Sequence, residues 1–195
     1  MNSLFLQSIG KLTEISPEDA ALFFSYFQPK KYKKNTVLLQ EGEVANELYF
    51  VVKGALRQFF SKEDGVLKTC NFTFEAEFFT DIESFSRKSY SVTNIVTLEP
   101  TECLVIKCTD LIEAMNKSAA IAGICRALVE NIATDNIKRI QSLLSLSPEN
   151  QFKELVQCNP GILQRVPQTY IAQYLGLAPE SLSRIRKRIL MASKS

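Results

Sequence analysis

The stretch Ile171-Ala172-Gln173-Tyr174-Leu175-Gly176-Leu177-Ala178-Pro179-Glu180-Ser181-Leu182-Ser183-Arg184-Ile185-Arg186-Lys187-Arg188-Ile189 leaves little structural freedom. It predicts two helices joined by a tight turn. Gly176 supplies the φ > 0 conformation that ends the first helix. Pro179 suits the first turn of the second, where no N–H is needed. Ile171, Ala172 and Leu175 form one apolar face, and Leu182, Ile185 and Ile189 another. At about 100° per residue, Glu180, Ser183, Arg184 and Lys187 fall opposite the second stripe, flanked by Arg186 and Arg188. One face packs; the other offers forked donors, a carboxylate and a hydroxyl. That pattern suits the major groove of DNA, with the flanking cations near phosphates. The plainer reading is a solvated basic helix near the C-terminus.

Charge is distributed in the same sense. From residue 161 onward there are six basic residues (Arg165, Arg184, Arg186, Lys187, Arg188 and Lys194) and one acid, Glu180. Residues 1–160 hold the other 17 basic residues against 20 acidic ones. A basic tail on a mildly acidic body is the footprint of a polyanion partner. Histidine is absent, which excludes Ser-His-Asp and Cys-His catalysis. The cysteines Cys70, Cys103, Cys108, Cys125 and Cys158 are scattered and form no CxxC pair. Neither a zinc site nor a disulfide framework is indicated, and most are expected as small buried hydrophobes. No apolar run approaches a membrane span. The start, Met1-Asn2-Ser3-Leu4-Phe5, lacks a signal-peptide layout, so a cytoplasmic protein with no membrane partner is expected.

The N-terminal body reads differently. Ser16-Pro17-Glu18-Asp19 opens a helix running to about Phe27. Lys30, Lys31, Lys33 and Lys34 follow, as a phosphate patch or, more simply, a solvated loop. Short runs then alternate with turn residues: Thr36–Gln40, Leu48–Val52, Leu56–Ser61, Val66–Phe74, Tyr90–Thr97 and Cys103–Lys107. The Asp64-Gly65 hairpin signal and the regular spacing predict an all-β barrel or sandwich. Ala76–Ser86 has a partly helical rhythm. Asp110–Met115 reads as a short helix and Ala119–Leu146 as a long one, with a stripe at Ile121, Ile124, Cys125, Leu128 and Ile132. A helix this long outgrows its own domain, and that stripe packs either on the barrel or on a twin helix. Ser147-Pro148-Glu149 starts a further helix. No phosphate-cradling glycine loop of the P-loop or dinucleotide type is present.

Barrel, long helix and helix-turn-helix, in that order, resemble the CRP/FNR family of bacterial transcription regulators over nearly the whole chain. Leu48-Tyr49-Phe50-Val51-Val52-Lys53-Gly54 looks like the family's barrel strand and glycine turn. Ala76-Glu77-Phe78-Phe79 stands where the family has Phe-Gly-Glu-Leu, and Pro148–Lys187 looks like its DNA-binding domain. The resemblance implies an α+β chain. Its parts are an N-terminal double-stranded β-helix or jelly-roll barrel (1–115), a long dimerisation helix (116–146) and a C-terminal helix-turn-helix domain (147–195). It implies a homodimer on two-fold symmetric duplex DNA, RNA polymerase as a further partner, and a small-molecule effector in the barrel.

Two departures qualify that. Cyclic-nucleotide binders of this kind carry a Gly-Glu pair and an Arg-Ser or Arg-Thr pair. The glycine position here is Ala76, although Glu77 remains. The Arg-Ser pair falls near Ser91-Val92, with no cation. Arg87 and Lys88 lie upstream, where an indel could bring one into place. The effector pocket is therefore expected around Ala76, Glu77, Phe78, Ser91 and Val92, either vestigial or built for a ligand other than cyclic AMP. No resident cofactor or metal is implied. In the helix-turn-helix, Glu180 and Arg184 fall on base-reading positions, as does Pro179, which has no side-chain donor. Gln168 and Thr169 open the first helix, where phosphate contacts are usual. The full DNA-contact set is Gln168, Thr169, Pro179, Glu180, Ser181, Ser183, Arg184, Arg186, Lys187 and Arg188. The tail ends at Ser195, soon after the recognition helix, so any wing hairpin beyond it is expected to be absent or stunted. Two other functions compete: a cyclic-nucleotide signalling module whose basic tail binds a protein, and an enzyme using Glu75, Glu77, Asp81 and Glu83 as paired carboxylates or metal ligands.

Overall fold

In the computed structural model, which describes residues 3–192 and side chains as far as residue 189, the alternating segment forms eight strands. Lys194 and the tail end at Ser195 lie outside the described residues. The strands are β1 (Gln28–Tyr32), β2 (Val37–Leu39), β3 (Glu47–Lys53), β4 (Leu56–Ser61), β5 (Leu67–Thr73), β6 (Phe78–Phe79), β7 (Asn94–Thr97) and β8 (Thr101–Lys107). They make two four-stranded antiparallel sheets, ordered β1-β8-β3-β6 and β2-β7-β4-β5. This is the expected barrel of two facing sheets, and each sheet joins strands distant in sequence.

Period-two alternation divides the strands between two cores. Tyr49 and Val51 of β3, with Cys103 and Val105 of β8, face the barrel interior beside Leu56 and Ile95. Leu48 and Phe50, with Leu104 and Ile106, face outward against helices. Those helices include α1 (Ser3–Gly10), which the sequence reading missed, and α2 (Pro17–Ser25), capped by Ser16. Phe5 of α1 touches the rings of Phe23, Phe24, Phe27, Phe50 and Phe78, with centroids 5.0–5.8 Å away. The hairpin at Asp64-Gly65 closes β4 onto β5 as predicted. Gly54, at φ +105°, must be glycine: a Cβ there would lie 2.5 Å from Thr101 Oγ1.

The lysine cluster is not a solvated loop throughout. Lys30 and Lys31 lie in β1, paired with Glu47 at 2.6 Å and Glu102 at 2.9 Å. Strand pairing to β8 gave that segment structure despite its poor strand propensity. The cysteine expectation also needs correction. Cys103 and Cys108 are buried, Cys125 is half-buried, and Cys70 and Cys158 are exposed.

After α3 (Ile82–Arg87) and α4 (Cys108–Lys117) comes α5 (Ala119–Ser145), 27 residues and about 40 Å long. The stripe expected to pair with a twin is occupied within the chain. Ile121 and Ile124 are fully buried among Phe5, Phe23 and Leu111, and Cys125 and Leu128 pack against the same cluster. Ile132 is half-buried. The N-terminal helices, one of them unforeseen, supply the partner that the stripe lacked on sequence grounds. A second apolar stripe lies about a third of a turn around α5. It consists of Val129, Ile137, Ile140 and Leu144, all exposed.

The C-terminal unit comprises α6 (Pro148–Cys158), α7 (Ile162–Arg165), α8 (Gln168–Leu175) and α9 (Pro179–Ala192). Phe152, Leu155, Ile162, Ile171, Leu175, Leu182 and Ile185 form its core, which continues into the barrel through Ala55, Phe72 and Leu98.

Candidate nucleic-acid interface and effector cavity

Gly176 ends α8 at φ +70°, and its N–H caps the carbonyls of Ala172 and Gln173. The turn sets α9 across α8 with Leu182 and Ile185 inward. Pro179, Glu180, Ser183, Arg184, Lys187 and Arg188 are exposed, while Ser181 and Arg186 are half-buried. Arg184 Nη2 lies 3.4 Å from Ser181 Oγ, a contact that leaves the guanidinium fork in solvent. Arg188 turns back towards α6, with its Nε 3.4 Å from Glu149. Gln168 and Thr169 are exposed at the start of α8, whose first amides have no intrahelical acceptor. Such an end attracts anions. Between them the exposed residues of α8 and α9 offer a carboxylate, hydroxyls and cations.

A cavity of about 760 Å3 lies between β5, the Ala76–Phe79 segment, α5 and α8. Ala76, Glu77 and Phe78 line it. Ala76 sits at φ +70°, the conformation that favours glycine. Glu77 Oε2 accepts the Phe74 N–H at 2.8 Å. Burial raises the Glu77 pKa, with the Phe74 amide opposing and the Asp135 and Glu75 carboxylates adding to the rise. Ser91 and Val92 are not part of this wall. Ser91 is buried, donating to Asp81 Oδ2 at 2.6 Å, and Val92 is 71% exposed. Arg87 points to solvent beside Glu83 at 3.5 Å. Lys88 lines a separate cavity of about 450 Å3 and donates to Asn46. Neither reaches Glu77's cavity. The cations that line it are Lys11 and Arg139. The Arg139 guanidinium lies 3.8 Å from the Tyr174 ring centroid and donates to the Tyr174 carbonyl. Burial lowers the Arg139 pKa.

Residues 29–118 match the cyclic nucleotide-binding domain family. The chain is 27% identical over 180 residues to the cAMP-activated global transcriptional regulator CRP of Pasteurella multocida, covering 86% of this chain and 85% of that one. Among solved structures it resembles FixK2 of Bradyrhizobium japonicum, with TM-score 0.75, 17% identity and 86% of each chain covered. It also resembles a transcriptional regulator of the CRP/FNR family from Eubacterium rectale, with TM-score 0.71, 17% identity and 91% and 85% coverage. Along most of its length the chain is similar to regulators of the CRP/FNR type.

Several features of the cavity region are not evident from the sequence. Asp81 caps α3 through the Ser84 N–H, and accepts from Ser91 Oγ and Thr93 Oγ1. Gln58, from the cavity wall, donates to Thr93 Oγ1 at 2.9 Å. The sequence did show the Asp-x-x-Ser cap pattern at 81–84, but not the hydroxyls ten and twelve residues on. The four acids weighed as a catalytic or metal set occupy different surroundings. Glu75 is forked by Arg165, Glu77 faces the cavity, Asp81 is enclosed by hydroxyls, and Glu83 is in solvent. No helix among the described residues is long and apolar enough to cross a membrane.

Proposed function

We propose that this protein is a DNA-binding transcription regulator that reads a two-fold symmetric site as a homodimer and answers to a small effector. One observation carries the DNA reading: α9 buries Leu182 and Ile185 and turns Glu180, Ser183, Arg184 and Lys187 outward. Arg184 can fork onto guanine and Glu180 can accept from cytosine N4, while Gln168, Thr169, Arg186, Lys187 and Arg188 meet phosphates. Similarity to named transcription regulators along most of the chain supports the same reading. It also favours a binding protein over an enzyme. The exposed stripe Val129, Ile137, Ile140 and Leu144 on α5 is the dimer contact this reading requires.

The Glu77 cavity is the effector site of this proposal. Its wall argues against cyclic AMP: Ala76 replaces glycine, Ser91 is committed to Asp81, and Arg87 lies in solvent. Selection of bound duplexes from a randomised library tests the function. A recovered motif with two-fold symmetry is expected. Recovery of random sequence would remove the regulator reading and favour a protein partner for the basic tail.

A further inference from the structure

The seam between the helix-turn-helix and the barrel is built around a cation with no carboxylate beside it. Arg57 of β4 is 3% exposed. Its Nε donates to Thr69 Oγ1 at 2.9 Å and its Nη2 to Gln173 Oε1 at 2.6 Å. The guanidinium carbon lies 4.2 Å from the Phe59 ring centroid and 3.8 Å from that of Tyr170. Among the described residues no Asp or Glu forms an ion pair with it. Tyr170 and Gln173 belong to α8, so the covering DNA-binding unit is what takes Arg57 out of water. Burying a guanidinium against neutral partners alone opposes that covering.

Around Arg57 the seam is attractive. Phe72 of β5 meets the Tyr174 ring at 5.3 Å, and Ala55 and Leu98 join the C-terminal core. On one flank Arg165 forks onto Glu75 with two bonds of 2.8 Å and reaches Glu99, all three side chains being partly solvated. Glu75 directly precedes Ala76 and Glu77 of the cavity wall. The same cavity is lined by Phe72, Arg139 and Tyr174, so an occupant would touch the seam itself.

We propose that Arg57 is a built-in destabiliser of this seam, which makes docking of the helix-turn-helix on the barrel releasable. The unit exchanges between a docked state, in which Arg57 is dry, and a released state, in which Arg57 is hydrated. Its value to an effector-controlled regulator rests on the reading above; the exchange itself does not. An equilibrium close to balance can be shifted by a ligand of modest differential affinity.

The test is single-molecule energy transfer on the full-length protein. Dyes are carried on non-natural side chains at Glu63, in the β4–β5 hairpin, and Gln164, on α7, with one labelled protomer per dimer. The wild type should show a docked and a released population. Arg57→Met, apolar and of similar length, should reduce the released share about fivefold or more. Gln173→Glu, which gives Arg57 a carboxylate, should also deplete it and serves if Arg57→Met does not fold. A single docked population in the wild type would overturn the proposal, as would an unchanged or enlarged released share in either variant; enlargement in Arg57→Met would show that Arg57 holds the seam together. Loss of sequence selection in the library experiment would remove the DNA reading and leave these distances as they are.

Discussion

Ala76 is the residue at which local strain and site meet. It holds φ +70° without being glycine, beside the carboxylate that faces the cavity. An L side chain in that region is disfavoured by about 1–2 kcal/mol. Glycine recovers this, less about 0.5–1 kcal/mol of added chain entropy. Ala76→Gly should therefore raise unfolding stability by about 0.5–1 kcal/mol. A urea titration showing a lower midpoint would mean that the Ala76 methyl makes contacts worth more than the strain. Which side chains are buried was legible where one helix carries them: the 100° periodicity of α9 separated Leu182 and Ile185 from Glu180 and Arg184, and the exposures agree. They were illegible where strands bring them together. Nothing local to Arg57 signals that Gln173, 116 residues away, will cover it.

At the scale of elements, α5 shows why a correct helix can carry a wrongly assigned face. Its length was clear from an unbroken run without proline, and its bounds, Ala119–Ser145, agree with the expected Ala119–Leu146. Its first stripe was assigned to a twin on the family resemblance, with the barrel as the alternative, and α1, which helps to cover it, was not foreseen. An eight-residue helix in which Ser3 and Gly10 frame a mostly apolar run has weak periodicity of its own. Two variants separate the stripes. Ile121→Ala should lower stability by about 2–5 kcal/mol, read by chemical denaturation. Ile140→Lys with Leu144→Lys should leave the protomer's circular dichroism intact but turn a dimer into a monomer in sedimentation at micromolar concentration. A dimer that survives both lysines would place the contact elsewhere. Most β strands were legible from Thr36 onward through alternation and turns, whereas β1 was hidden by its lysines and the two-residue β6 lay in a segment read as partly helical.

At the scale of the molecule, barrel, α5 and helix-turn-helix share one seam, and its ionic part responds to pH. Burial raises the Glu75 carboxyl, but the Arg165 fork and the Gly54 N–H outweigh it and hold the pKa below its ordinary value of 4.5. A lowered folded pKa contributes stability that is present above 4.5 and lost as pH falls through the lowered value. Wild type should lose stability below about pH 4.5 more steeply than Glu75→Gln, and parallel melting curves of the two against pH would contradict this. The Glu77 cavity makes a second prediction: calorimetric titration with cyclic AMP should give no dissociation constant below about 10 μM, roughly −7 kcal/mol. Tighter binding would require Lys11 or Arg139 to take the phosphate. The central claim, that α9 reads bases, has the most direct test. Arg184→Ala and Arg188→Ala are each titrated onto the selected duplex and onto random duplex at several salt concentrations. Arg184→Ala should lose about 1–3 kcal/mol on the selected site alone and relax preference at one base pair per half-site. Arg188→Ala should weaken both duplexes nearly alike and reduce the salt slope by about one charge per subunit. Equal losses on both duplexes for Arg184→Ala would contradict the assignment of the face that enters the groove.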